Sequence, residues 1–438
     1  MFAFELWREY RLSVAELFSL FPKMEVVYFD EKILLVNNIE ENELLKIAPK
    51  IWWTIKINKI QSAIRDSGSS PEWQSTIFEY MKDFFQERKT NYAINFYWKV
   101  KTNQKDFLLK SKKYFAKLWL STRFVNQDFN NIKSYLVTKE KLIDTQTDFN
   151  IIFINSEIFI WNTIYVQDIE SYAKRDFGKT RDMQIGMLPP KLAQMMINLS
   201  KNETMLSSWT IVKDPLNNAS ITKQSSRDSS LHSEWQNQFN NSYTQLPIYD
   251  PFCGLWTILL EAIIAWDNEI YGSDINEDMV QTTKKNIEFI KDIFENDLKT
   301  YEVINLDAKN IANWPILKNH MIWAIVTEWY LWEIFWKLSI NLEKVEKQRI
   351  ILAQIYEKFF FWLKRIWFTW NIIISFPFWE IKWKYNYFEE IYEIINEYCV
   401  ISKFFPDNFE VQSSRSWSLL YKRPDQTVWR EIFRLQIK

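Results

Sequence analysis

The stretch Asp250-Pro-Phe-Cys-Gly-Leu-Trp-Thr257 decides the fold. It follows the strand-like LPIYD and opens the helix-like ILLEAIIA, so an acid ends a strand and a turn of small residues starts a helix. That arrangement builds a ligand site at the carboxyl edge of a parallel sheet, and Gly254 lets the backbone approach a ligand closely. Downstream, strand-like and helix-like runs alternate: EIYGSDI, MVQTTKKNIEFI, VINLDA, IWAIVTE, a long helical region to Arg365, NIIISFPF and YFEEIYEIINEY. Such alternation predicts a parallel, Rossmann-like α/β sheet. Two further runs, SWSLLYKR and REIFRLQIK, are close enough in sequence to pair antiparallel. Successive strands end in Asp250, Asp274, Asp307 and Glu328. One strand-end acid alone reads as a helix cap, but four in succession suit a ligand of the nucleoside type, with Asp274 placed to accept from ribose hydroxyls.

Working upstream, residues 1–60 read β-α-β-β-α-β, the order of a small ferredoxin-like α+β unit. Residues 61–168 continue with two helices and further strands, and residues 201–247 read as a polar surface insertion. The expected domains are therefore 1–60, 61–168 and 169–438. Between positions 99 and 123 lie Lys99, Lys101, Lys105, Lys110, Lys112, Lys113, Lys117 and Arg123 against the single acid Asp106. A charge run of this kind is most often a solvated face. It also suits a phosphate-binding surface, which local bias allows even where the whole chain is near neutral.

The whole chain is near neutral: 54 Lys+Arg oppose 55 Asp+Glu over 438 residues, so no global basic field announces a nucleic-acid partner. Two cysteines, Cys253 and Cys399, exclude a disulfide framework and fit a reducing cytoplasm. Cys253 reads as a small turn residue, not a nucleophile, and His232 and His320 are too scattered to bind a metal. The most apolar stretch, 350–379, is broken by Glu357, Lys358, Lys364 and Arg365, so no membrane segment is expected. One pair of counts is abnormal: Gly 5 and Trp 23. Average usage would put roughly 31 glycines in such a chain. Many tryptophans stand in turn contexts, among them Trp52, Trp53, Trp256, Trp266, Trp367, Trp370 and Trp417. We read this as a gene in which UGA encodes glycine and has been written as tryptophan. Trp235 and Trp379 read as true tryptophans, and UGG codons at Trp256, Trp266 and Trp329 would end the idea.

With that substitution in mind, DPFCG-x-(G)-T followed by Ser273-Asp274-Ile275 resembles the first two motifs of class I S-adenosylmethionine-dependent methyltransferases. More narrowly, the chain resembles the THUMP-domain family that methylates the exocyclic N2 of guanosine in tRNA. Leu6-Trp7-Arg8, Trp52-Trp53-Thr-Ile-Lys, the run from Arg175 to Leu199, Ser416-Trp-Ser-Leu-Leu-Tyr-Lys-Arg-Pro and Val428-Trp-Arg-Glu-Ile carry the likeness over nearly all of the chain outside the insertion. The resemblance implies a class I methyltransferase domain preceded by ferredoxin-like and THUMP domains, with S-adenosylmethionine as cofactor and tRNA as partner. Asp250, Pro251, Phe252, Cys253, Gly254, Trp256 and Thr257 would hold the methionine and ribose parts. Asp274 would take the ribose hydroxyls, with Ile275 beside it in the cofactor site, and Asp307 with Ala308 the adenine. Glu328 and Tyr330 fall where the family carries Asp/Asn-Pro-Pro-Tyr, as acceptor for the target amine and as stacking ring; here Glu replaces Asp/Asn and no Pro-Pro is present. Lys99, Lys101, Lys110, Lys112, Lys113, Lys117 and Arg123 would contact RNA. The rival readings are an amino-methyltransferase on another RNA or on DNA, and a non-catalytic RNA-binding protein. No small activating protein partner is legible in these residues.

Overall fold

The structure, a computed structural model, describes residues 1–65, 72–85, 89–97, 103–154, 157–168, 188–201, 247–265, 269–294, 300–318, 322–328, 341–409, 411, 417–423, 426 and 428–438. The chain divides into two units, Met1–Val14 with Lys23–Arg175, and Ala15–Pro22 with Asp176–Lys438.

The first unit is built on one eight-stranded sheet. Its strands are β1 (Phe2–Leu6), β2 (Glu25–Phe29), β3 (Ile33–Asn37), β4 (Thr54–Arg65), β5 (Thr90–Tyr97), β6 (Thr122–Phe124), β7 (Asp148–Ile154) and β8 (Glu157–Val166), in the order β2-β3-β1-β4-β8-β7-β5-β6. Helix α1 (Tyr10–Leu20) begins in this unit, and its residues from Ala15 on belong to the second; the helices that follow are α2 (Glu41–Ile47), α3 (Glu72–Lys82), α4 (Gln104–Lys117) and α5 (Ser134–Lys139). The β-α-β-β-α-β order expected of residues 1–60 is present. The boundary expected at 60/61, however, falls inside β4, a 12-residue strand paired to β1 and to β8. Hydrogen bonding is thus continuous across the expected boundary. A buried polar cluster fixes the pairing there: the Asp148 carboxylate accepts from Lys56 Nζ at 3.1 Å, Thr163 Oγ1 at 2.6 Å and Asn95 Nδ2 at 2.8 Å. A slip of one residue would leave these groups unpaired in the interior, which is costly.

The second unit carries β9 (Ile248–Asp250), β10 (Glu269–Asp274), β11 (Thr300–Asn305), β12 (Ala324–Glu328), β13 (Asn371–Ile381), β14 (Lys384–Asn386), β15 (Cys399–Ile401), β16 (Leu419–Tyr421) and β17 (Val428–Ile437). The order β11-β10-β9-β12-β13-β17-β15 is parallel from β11 through β13, and β17 runs antiparallel between β13 and β15. This is the Rossmann-like, doubly wound sheet expected of a class I methyltransferase fold. Its strand order reverses between β9 and β12, which opens the switch-point crevice at their carboxyl ends. The described helices are α6 (Pro190–Ser200), α7 (Thr257–Ala265), α8 (Glu277–Phe294), α9 (Pro315–Lys318), α10 (Leu342–Arg365) and α11 (Glu389–Tyr398). β13 is buried almost throughout, reading NIIISFPFWEI as a sheet-centre strand should. Against it, α10 buries Val345, Leu352, Tyr356, Phe359 and Leu363 at helical spacing, and α11 adds Ile391, Ile395 and Tyr398. The insertion expected at 201–247 lies almost wholly outside the described residues.

Candidate active site at the carboxyl edge of the second sheet

Four acids stand at successive strand ends along this edge. Asp307 follows β11, Asp274 ends β10, Asp250 ends β9 and Glu328 ends β12, so strands adjacent in the sheet deliver them side by side. Asp250 is 2% exposed; its Oδ1 accepts from Thr327 Oγ1 at 2.6 Å and from the Phe252 amide at 3.2 Å. Burial, reinforced by the like charges of Asp274 and Glu328, pushes the carboxyl from its ordinary value up to about 7 against those two hydrogen bonds. The sign of the consequence follows: between its unfolded value of 3.8 and about 7 the folded chain holds a proton that the unfolded chain has released. The ligand-free protein should therefore lose stability as pH rises through this window. Asp250→Asn should flatten that slope in thermal melts taken from pH 4 to 8, and an unchanged slope would reject the assignment.

The turn between β9 and α7 is tied to β10. Cys253 N donates to Ser273 O at 3.0 Å, and the Gly254 amide donates to Asp274 Oδ2 at 3.0 Å. Asn276 N donates to the other Asp274 oxygen at 2.8 Å, and Gly254 O accepts from Thr283 Oγ1 on α8 at 2.8 Å. Gly254 takes φ +48°, the left-handed region where an L side chain is strained. Gly272 on β10 has no such requirement; there a Cβ would lie 2.6 Å from Leu259 Cδ1, so its absence lets α7 seat against the sheet. Burial raises the Asp274 carboxyl, and the three backbone amides around it pull the other way. Trp256 takes φ +74° and is buried, with its amide closing the turn on Cys253 O at 2.6 Å.

Among the other expected residues, Pro251 and Cys253 are buried, Phe252 is partly buried against Phe359 of α10, and Thr257 opens α7. Burial together with Asp250 and Asp274 drives the Cys253 thiol well up, which suits a packing residue and not a nucleophile. Ile275 is exposed. Asp307 caps the 3-10 turn Ala308–Asn313, accepting from Lys309 N at 2.9 Å, with Lys309 Nζ at 3.2 Å from its second oxygen. Ala308 is buried in the core cluster. Tyr330 and Trp329 lie outside the described residues.

Glu328 has a partner that sequence reading did not find. Its Oε1 accepts from Arg430 Nε on β17 at 2.5 Å, and both side chains are nearly buried. Among the described residues, its Oε2 is buried with no hydrogen-bond partner. Burial raises this carboxyl above the ordinary range, and Arg430 opposes the rise. A buried carboxylate oxygen without a donor costs free energy unless something fills it. The site is chemically an acceptor held in place beside a strand-end crevice.

On the first unit, α4 buries Phe107, Leu108, Ser111 and Phe115 and exposes Lys110, Lys112, Lys113 and Lys117. Lys110, Lys113 and Lys117 share one face at i, i+3 and i+7, and Arg123 on β6 is also exposed. Lys99 and Lys101 lie outside the described residues.

No protein-family model and no curated protein sequence matches the chain. Among solved structures, the chain is similar to TrmN from Thermus thermophilus, at 10% identity over 100% of this chain and 99% of that one, with a TM-score of 0.46. It is also similar to a possible methylase from Clostridium difficile 630, at 12% identity over 100% and 97% of the two chains, with a TM-score of 0.42. A third similarity is to a predicted N6-adenine-specific DNA methylase from Listeria monocytogenes, at 11% identity over 99% and 95%, with a TM-score of 0.39.

Proposed function

We propose that the chain is an S-adenosylmethionine-dependent methyltransferase that modifies the exocyclic N2 of a guanosine in tRNA. The observation that carries the reading is the row of four strand-end acids at the switch point, with a buried acceptor oxygen on Glu328 that has no donor among the described residues. For the cofactor, the 250–257 turn would hold the methionine end, the Asp274 carboxylate would accept from the ribose hydroxyls, and Asp307 with the Ala308 backbone would take the adenine. When bound, S-adenosylmethionine supplies a methyl group already activated for transfer to a nucleophile. The chain's own work is then alignment, which can contribute roughly 7–11 kcal/mol. Glu328 Oε2 would accept a hydrogen bond from the guanine amine, turn its lone pair toward the methyl and take up the released proton. Arg430 holds Oε1 and so fixes the direction of Oε2.

The target base must leave its stack, at a cost of a few kcal/mol. Phosphate contacts to the lysine face of α4 would offset it. Reversing charge at Lys110, Lys113 and Lys117 together should weaken tRNA binding and reduce the slope of log affinity against log salt by about 3. A slope unchanged in filter-binding titrations would remove α4 from the interface.

Asp274→Ala should weaken S-adenosylhomocysteine binding by at least about tenfold, the loss expected for one or two hydrogen bonds to a charged acceptor. Unchanged affinity by calorimetry would argue against the cofactor assignment. For the reaction itself, unmodified tRNA is incubated with the protein and methyl donor, and its nucleosides are read by mass spectrometry. N2-methylguanosine is the expected product. A methyl group on adenine N6 would keep the amino-methyltransferase chemistry and reject the guanosine, while no methylated nucleoside would reject the reading.

A further inference from the structure

Eleven described residues other than glycine have a positive φ, and five of them are tryptophan: Trp119, Trp256, Trp367, Trp383 and Trp417. Tryptophan is 23 of 438 residues, so composition alone would place fewer than one there. It is bulky, and nothing in its chemistry favours the left-handed region; Asn and Asp do, and they account for Asn38 and Asp128.

Three of the five sit in motifs whose residue preference is known. After α4, Trp119 is the second residue past the helix: its amide donates to Ala116 O at 3.1 Å and the Leu120 amide to Phe115 O at 3.0 Å. After α10 the same pair of bonds recurs, from Trp367 N to Lys364 O at 3.1 Å and from Phe368 N to Leu363 O at 3.0 Å. Both are Schellman ends, and in each the tryptophan occupies the left-handed position where glycine is the usual residue. Between β13 and β14, Ile381 pairs with Lys384, so Lys382 and Trp383 form a two-residue hairpin loop with φ 48° and 66°. That is the type I′ geometry, whose second position is nearly always glycine. Burial does not explain these indoles: Trp119 is 96%, Trp367 78% and Trp383 91% exposed. Two large rings left in water at helix ends and one at a hairpin tip contribute nothing to the core.

We infer that the functional protein carries glycine at 119, 256, 367, 383 and 417, read from UGA codons, and that position 256 thereby becomes an open turn in which the backbone of residues 254–257 faces the ligand. The inference is selective. Trp379 is fully buried in extended β13 and packs in the core as a true tryptophan would. Trp52, Trp53 and Trp370, whose contexts suggested glycine, have negative φ and give this inference no support. Trp266 lies outside the described residues. Composition did not single out Trp119 or Trp383; only the backbone does.

Two experiments test it independently of the methyltransferase reading. Tandem mass spectrometry of the protein isolated from its own cells should find glycine mass at all five positions, and tryptophan at any of them overturns the inference. In the chain made with tryptophan throughout, the triple variant Trp119→Gly/Trp367→Gly/Trp383→Gly should melt several degrees higher, and an equal or lower melting temperature overturns it. The last clause of the inference rests on the proposed function and has its own readout. Trp256→Gly should bind S-adenosylhomocysteine at least tenfold more tightly than the tryptophan chain, and equal binding by the two chains overturns the open turn while leaving the cofactor assignment standing.

Discussion

Glu328→Ala should reduce methyl transfer to tRNA by about 10²–10⁴-fold, the range over which a positioned proton acceptor acts, with tRNA binding retained. The expectation follows from the two oxygens of one carboxylate having different circumstances. Oε1 is taken by Arg430, whereas Oε2 is buried and has no donor among the described residues. Removing the side chain leaves the Arg430 guanidinium without its anion, so a loss of activity could be mistaken for a loss of fold. Glu328→Gln separates the two. Its amide oxygen can still accept from Arg430, its volume is unchanged, and it cannot take up a proton. The glutamine chain should melt near the parent temperature, bind tRNA with parent affinity and transfer methyl groups as poorly as the alanine chain. Parent-like turnover in either variant, measured by nucleoside mass spectrometry, would remove Glu328 from the chemistry.

Arg430→Met should be the most damaging single change to stability among those considered, costing about 3–5 kcal/mol as is usual when one partner of a buried ion pair is deleted. The arginine is 3% exposed and the carboxylate it serves is 11% exposed, so water cannot replace it. Arg430 also opposes the rise that burial imposes on the Glu328 carboxyl. Without it that carboxyl climbs further, the deprotonated acceptor appears only at higher pH, and the acid limb of the pH–rate profile moves upward. Pairing the change with Glu328→Gln removes the stranded charge. The double variant should therefore recover much of the lost stability and none of the activity. If the double variant is no more stable than Arg430→Met alone, the pair is not the source of the loss.

The second sheet was legible because short strand-like runs alternate with helix-like ones, three of the strands ending in acids and its helices carrying apolar positions at helical spacing. Asp250, Asp274 and Glu328 could be placed at one edge from order alone, since parallel strands bring like ends together. Arg430 could not. It lies 102 residues from Glu328, on an antiparallel strand whose position between β13 and β15 no local pattern announces. The strand Cys399–Ile401 was also missed, because three residues directly after α11 carry too little pattern to stand apart from the helix. Asp307 shows the converse problem: a strand-end acid and a turn cap look alike in sequence, and this one caps Lys309 N. In the first unit the strands of residues 1–60 were legible within about a residue, but the short β6 and α5 carry too little pattern to stand out, and β4 runs on across position 60 without a change of pattern. The glycine deficit was visible as a count, while its sharpest expression, two Schellman ends and a hairpin loop, needed dihedral angles.

The placement of β17 sets the order in which a ribosome can deliver a working site. It is the last strand of its sheet in chain order, yet it lies inside the sheet and pairs with β13, β15 and β16. It also brings in Arg430 for Glu328, and Arg434, whose guanidinium donates to Ser19 Oγ at 2.6 Å, Leu199 O at 2.9 Å and Lys403 O at 3.0 Å. Until Val428–Ile437 has been synthesised, β13 has an open edge, β15 has no neighbour and the acceptor carboxylate has no cation. These are non-local contacts that close late, so a chain interrupted before them cannot assemble a charged, oriented Glu328. Incomplete copies of this protein should accordingly be inert toward their substrate and, with a long apolar edge exposed, prone to aggregate and be degraded.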